Sequence, residues 1–174
     1  MSANTTNYEI RSAIRRLIID SWDSAEVEGL TPRTKGGNVT INLGSDDESY
    51  PQVTLRGAAS TGGAAGLGPT GLVYDYTNRL DVQVFGGSHS SLDRTPDREH
   101  YDAGRVSSAI GTHIREIAHE HSLGVPDPDD PDAALTMNLE PLSFPFVRRD
   151  PDLTNPQHFF ATLELGYGIR RNSV

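Results

Sequence analysis

Apolar side chains return every three or four residues in two stretches of this chain and every second residue in several others. Ile10, Ile14, Leu17 and Ile18 form one stripe along a helix predicted over residues 8–22, with Arg11, Arg15, Arg16 and Asp20 on its other faces. Residues 4–7 (NTTN) supply capping side chains in front of it. Ala103, Val106, Ile110, Ile114, Ile117 and Ala118 trace the buried face of a second helix over residues 101–122, with Asp97 as its N-cap and Gly124 as its stop. Alternation marks the strands. Val39-Thr40-Ile41-Asn42-Leu43 reads as half-buried, and Val53-Thr54-Leu55-Arg56 pairs with it. Over residues 72–85, Leu80, Val82 and Val84 point one way and Arg79, Asp81 and Gln83 the other. Leu135, Met137 and Leu139 alternate, as do Leu142, Phe144 and Phe146 after Pro141. The cleanest strand is the last, with Phe159, Ala161, Leu163, Leu165 and Tyr167 on one face.

Between these elements the chain turns polar. Residues 24–37 read as an acidic loop closed by Gly36-Gly37, and 44–51 as a polar turn. Residues 57–71 carry six Gly in fifteen positions and are expected to be a flexible loop. Residues 86–98 form another loop, residues 125–132 (VPDPDDPD) a rigid acidic one, and residues 148–156 a break before the last strand. Helices thus separate antiparallel-looking strand pairs. The expected fold is a single α+β domain of 174 residues with long loops, its antiparallel or mixed sheet flanked by two main helices. No repeated strand–helix unit of the doubly wound kind is present.

Composition changes the picture at one point. Fourteen Arg stand against a single Lys, Lys35, and fifteen Asp against nine Glu, with a net charge of -9 and no Cys. Arg is weakly hydrated and bidentate where Lys is a strongly hydrated point charge. At molar salt the screening length falls to about 3 Å, so such an acidic surface hardly repels itself. The mix suits an extreme halophile, or something that replicates in one. Absence of Cys excludes disulfides, thiolate chemistry and Cys-based zinc sites. Net acidity disfavours a dedicated nucleic-acid binder, though local Arg clusters can still meet phosphate. No apolar run approaches the ~18 residues of a membrane span, and MSANTTNYE lacks a signal-peptide pattern, so the expectation is a soluble protein without membrane contact.

The search for chemistry returns little. Gly63-Ala64-Ala65-Gly66-Leu67-Gly68 resembles a phosphate loop only superficially, because no Lys-Ser or Lys-Thr follows and no helix opens after it. His113, His119 and His121 lack the i, i+4 spacing of helical zinc ligands and read as solvated histidines near a helix end. No nucleophile elbow or calcium-loop pattern occurs. The expectation is therefore no catalysis, no metal and no cofactor. Two arginine pairs stand out: Arg148-Arg149 and Arg170-Arg171, readable either as inter-subunit partners for acidic loops or as solvated charge at strand ends.

The order of elements carries a resemblance. A leading amphipathic helix, a strand pair, a strand ending LDVQVFG, a helix with V-x3-I-x3-I, and a closing aromatic pair (LEPLSFPFVRR, then FFATLELGY) resemble the tail terminator proteins of long-tailed viruses, also called tail completion or minor tail proteins. The glycine-rich stretch and VPDPDDPD depart from that pattern. The resemblance implies a structural virion protein assembled in the host cytoplasm, here that of a haloarchaeal host. It implies a homo-oligomer, a hexameric ring at the head-proximal end of the tail tube, which ends tube polymerisation and joins the tail to the neck. Its partners are the tail-tube protein and a head-side connector, with transient, non-specific contact to DNA in the lumen. Within that reading Arg148, Arg149, Arg170, Arg171, Gly62, Gly63, Gly66 and Gly68 are the interface candidates. The alternatives are another neck protein (a head–tail adaptor or stopper), a small halophilic enzyme without a recognisable motif, or a ligand-binding module.

Overall fold

Thr6 caps the first helix. In the computed structural model, which describes residues 6–44, 51–68, 71–86, 96–149 and 159–172, its hydroxyl accepts from the Glu9 N–H and the Glu9 carboxylate accepts from its own N–H. This reciprocal capping box satisfies two of the amides that a helix N-terminus leaves orphaned. Helix α1 (Asn7–Asp20) follows, and every residue of the expected stripe is buried on it. Helix α2 (Pro96–Glu120) begins one residue before the expected cap, Asp97, because proline suits the first helical turn. Its end agrees with expectation: Gly124 sits at φ 122, and a side chain there would collide with the Thr136 carbonyl.

The strands are β1 (Thr40–Asn42), β2 (Gln52–Gly68), β3 (Gly71–Phe85), β4 (Pro126–Asp127), β5 (Asp130–Ala134), β6 (Asn138–Pro141), β7 (Phe146–Arg149) and β8 (Phe159–Asn172). The main sheet runs β1-β2-β3-β8-β6, with β7 beside β6 along the same edge of β8. Only the β1–β2 pair is parallel, so the first strand pair is not the antiparallel one the sequence suggested. The result is a single small α+β domain with a mixed sheet and two helices.

Register explains the core. Val53 stands opposite Val84 and Ala161 follows on β8; Leu55, Val82 and Leu163 form the next row, and Leu80 and Leu165 the next. All are at most 1% exposed and join one cluster with Ile10, Ile14, Ile18, Val106, Ile110 and Ile114, so both helices cover the same sheet face. Gly111 lets α2 approach β8 closely, its missing Cβ lying 3.6 Å from Ala161 and 3.0 Å from Pro145. The opposite face carries Thr54, Gln83 and Thr162 in one row and Arg56, Asp81 and Glu164 in the next.

Several loops are not as the sequence suggested. Residues 24–37 hold a 3-10 turn (Arg33–Lys35), and Val27 and Leu30 from this stretch are buried in the core. The acidic stretch 125–132 is not a bare loop: β4 and β5 form a small antiparallel hairpin, held by aspartate turns in which Asp127 and Asp130 accept from the N–H groups two residues on. The Leu135–Met137–Leu139 alternation fails at Met137, which is exposed because β6 starts only at Asn138. The last strand continues five residues past Tyr167 to Asn172. The expected loop at 86–98 and break at 148–156 lie largely outside the described residues.

Candidate functional site

The main correction concerns residues 57–71, expected as a flexible loop. Where described, they are instead the outer half of β2 and the start of β3. With 17 residues, β2 spans about 55 Å, roughly three times an ordinary strand. Its first residues lie buried in the body of the domain; from Gly57 through Leu67 every position is exposed. The antiparallel pairing with β3 nevertheless continues to Gly68 opposite Gly71, interrupted by bulges between Gly57 and Ala59 and between Ala64 and Gly66. β8 pairs without a shift from Phe160 opposite Phe85 to Asn172 opposite Val73. An arm, three strands wide at its root and two at its tip, therefore extends from the helix-covered core.

The glycines in this arm differ in their work. Tyr76 lies across Gly62, so close that a Cβ there would sit 2.2 Å from the ring. Tyr76 also stacks with Tyr74, the next residue on the same face, with centroids 6.4 Å apart. Gly63 and Gly66 have nothing within 4 Å of a Cβ position, and Gly68 closes the hairpin opposite Gly71. At the root, Asn78 is 3% exposed with its Nδ2 unpaired, beside a cavity of about 190 Å3 lined by Asn7, Ser60, Tyr76 and Ile169.

The structure separates the two arginine pairs. Arg170 and Arg171 stand opposite Asp75 and Tyr74 on the arm, while Arg148 and Arg149 stand opposite Phe160 and Phe159 at the far end of β8. The glycines thus share a surface with one pair and not the other. Arg170 is already engaged within the subunit: its Nε and one Nη donate to the two Asp75 oxygens at 2.8 and 2.9 Å. That hydrogen bond holds the Asp75 carboxyl below its ordinary range and raises the Arg170 guanidinium above its own.

Sequence reasoning missed two features. Leu142, Phe144 and Phe146 do not form a continuous half-buried strand; they are 42%, 74% and 67% exposed. Pro141 faces Leu165 and Phe146 faces Thr162, so the four residues between them on this edge stand against two on β8 and the edge bulges outward. Arg115 lies 4.1 Å from the Phe144 ring centroid. The second is His113, expected as a solvated histidine and found buried. Its Nε2 accepts from the Asp23 N–H at 3.0 Å, and its ring meets Trp22 edge-on at 5.5 Å. Burial lowers its pKa, opposed by Glu116, Asp23, Glu26 and Glu120. His119 is exposed, and His121 lies 3.4 Å from the Ser21 hydroxyl.

A cleft of about 520 Å3 runs between α1 and the β4–β5 turn, with Glu9, Arg15, Arg16, Asp127 and Asp129 on its walls. Ser12 lines it without a histidine among its neighbours there. Among the described residues no three His, Asp or Glu converge on a metal-sized site, and no helix is long and apolar enough to cross a membrane. The chain matches no protein-family model and none of the curated proteins.

Proposed function

We propose that this chain is a ring-forming structural protein of a long-tailed virus, a tail terminator that ends the tail tube at its head-proximal end and joins it to the neck. The observation that carries the reading is the arm: three long strands continued beyond the helical layer, with the outer stretch of β2 fully exposed. Folding alone gives a chain little reason to extend a sheet into solvent, since ordering each residue costs about 1–2 kcal/mol and the arm's glycines bury no side chain in return. A neighbouring subunit supplies the missing burial. Repeated contacts of this kind, each copy offering one flank to the next, close into a ring.

The other features fit this role. The outer sheet face sets Arg56 beside Asp81 and Glu164, and Arg170 on Asp75, so positive charge there stands next to negative. A polyanion such as DNA meets little net attraction on such a surface and passes without being retained. The Arg-over-Lys and Asp-over-Glu bias supports a haloarchaeal host within this reading. The test is light scattering after gel filtration in molar KCl, negative-stain microscopy, and addition of the protein to polymerising tail-tube protein. Annular particles that bind tube ends and limit tube length are expected. A protein that stays monomeric at every concentration and ignores tubes refutes the reading. Rings that bind only the connector point to an adaptor or stopper instead.

A further inference from the structure

We infer that copies of this chain join head to tail, the phenylalanine edge of one sheet seated on the free edge of the next copy's arm. This rests on the ring reading above and names the contact within it. The first surface is the bulged β6–β7 edge. Leu142, Phe144 and Phe146 alternate along it, all outside the core, and Met137 (45% exposed) precedes them. Leu142 lies over Gly166 and Met137 over Gly168, so backbone glycine supports both side chains from beneath. Arg115 is close to the Phe144 ring, yet 74% of that residue remains exposed.

The second surface is the opposite border of the same sheet. β1 pairs with β2 only from Gln52 to Thr54. From Gly57 outward, among the described residues, the outer side of β2 has no strand partner, so its N–H and C=O groups present a template for another strand. Exposed edges are ordinarily guarded by lysine, proline or charge. Here residues 57–74 contain no Asp, Glu, Lys, Arg or His, in a chain that is 22% charged and should place about four charges in such a span.

Charge and supply identify the occupant as a second copy. The arm border from Gly57 to Gly68 carries no ionised side chain, so an apolar edge seated on it strands no charge of the arm, and Arg115 keeps its place against the Phe144 ring. One chain carries both surfaces on opposite sides of one sheet, and a head-to-tail repeat covers both at once. Two arms paired with each other would leave the phenylalanines in water; two phenylalanine edges together would leave the β2 border unpaired. The outer arm is about 30 Å long and 10 Å wide. Along that length the border offers its backbone groups to a neighbour.

Two double variants test this, Phe144→Ser with Phe146→Ser, and Thr61→Glu with Ala65→Glu. All four positions are exposed, and far-UV circular dichroism checks that both variants fold. By light scattering in molar KCl each alone is expected to be monomeric. Their equimolar mixture is expected to have the mass of a dimer, since one phenylalanine edge and one arm remain intact and the other pair does not. A variant that keeps the wild-type mass, or a mixture that stays monomeric, overturns the contact while an assembled wild type leaves the ring reading standing. A wild type that is itself monomeric removes both. If either variant fails to fold, hydrogen exchange on the wild type decides. Amides of residues 58–68 should exchange about tenfold more slowly in concentrated than in dilute protein, and no change overturns the contact.

Discussion

Replacing His113 with phenylalanine removes one hydrogen-bond acceptor and keeps an aromatic ring against Trp22. The imidazole is 6% exposed, and its Nε2 is the acceptor for the Asp23 N–H just past the end of α1. Phenylalanine leaves that amide without its partner, at a cost of about 1–3 kcal/mol. For a chain of this size each kcal/mol lowers Tm by about 2–4 °C, so a fall of about 2–12 °C is expected at pH 8. The pH dependence is more specific. Burial holds the folded pKa of His113 below its unfolded value near 6.5, despite Asp23, Glu26, Glu116 and Glu120 nearby. Above pH 6.5 the ring is neutral in both states and its contribution is fully present. As pH falls below 6.5 the unfolded chain takes up the proton first, and stability is lost until pH reaches the folded pKa. By pH 5.5 this loss is at most about 1.4 kcal/mol. The phenylalanine variant lacks that titration, so the gap between the proteins narrows on acidification.

The assay is urea unfolding at pH 8 and pH 5.5 in the same KCl concentration, followed by the emission of Trp22, the sole tryptophan and the ring beside His113. Other histidines and all carboxylates titrate in both proteins and cancel in the difference. Equal stabilities at pH 8, or a gap that stays constant or widens between the two pH values, refute the argument.

Four further substitutions probe the packing. Gly62→Val drives a side chain into the Tyr76 ring and is expected to cost about 1–3 kcal/mol, whereas Gly63→Ala, in open space, should change stability by less than about 0.5 kcal/mol; thermal melts of the pair read the contrast. Ile110→Ala, at a position with no exposure in the middle of α2, should cost about 2–5 kcal/mol in urea unfolding. Thr136→Val keeps shape but strands the buried Val125 N–H that the threonine hydroxyl accepts at 2.9 Å. A loss of about 1–3 kcal/mol is expected, and a variant as stable as wild type would show that water takes over the bond.

What was legible in the sequence was what the chain buries for itself. Ile10, Ile14, Leu17 and Ile18 recur at helical spacing and are all buried; Leu80, Val82 and Val84 alternate and all enter the core. Each such pattern records a neighbour within the same subunit. His113 was legible too, had its phase been followed. Positions 106, 110, 113, 114 and 117 lie on one helical face, so the histidine shares the stripe of Val106, Ile110, Ile114 and Ile117 and is buried with them. The β4–β5 hairpin was harder, because its Asp and Pro residues belong to turns and its strands are only two and five residues long. The separation of the arginine pairs was not legible at all. Both follow or end aromatic strands in sequence, and only the pairing of β7 with the start of β8 sends one pair to each end of the sheet.

The glycine-rich strand fails for a different reason, and that reason bears on function. Gly, Ala and Ser at residues 57–68 have low strand propensity and show no period of two. The strand exists because β3, whose residues 72–85 carry strong β-formers, provides a continuous ladder opposite it. An alternation of apolar and polar residues arises where one face of a strand is buried and the other is wet. β2 loses its alternation where the helices stop covering the sheet, although its hydrogen bonding to β3 continues to Gly68. A pattern was therefore missing because burial within the subunit was missing, not because structure was. Along Leu142, Phe144 and Phe146 the opposite holds: alternation is present and burial within the subunit is largely absent. One border of the sheet is an ordered strand without a pattern, and the other has a pattern without its burial. Each lacks what the other supplies, which is the arrangement expected of two halves of one contact made between copies.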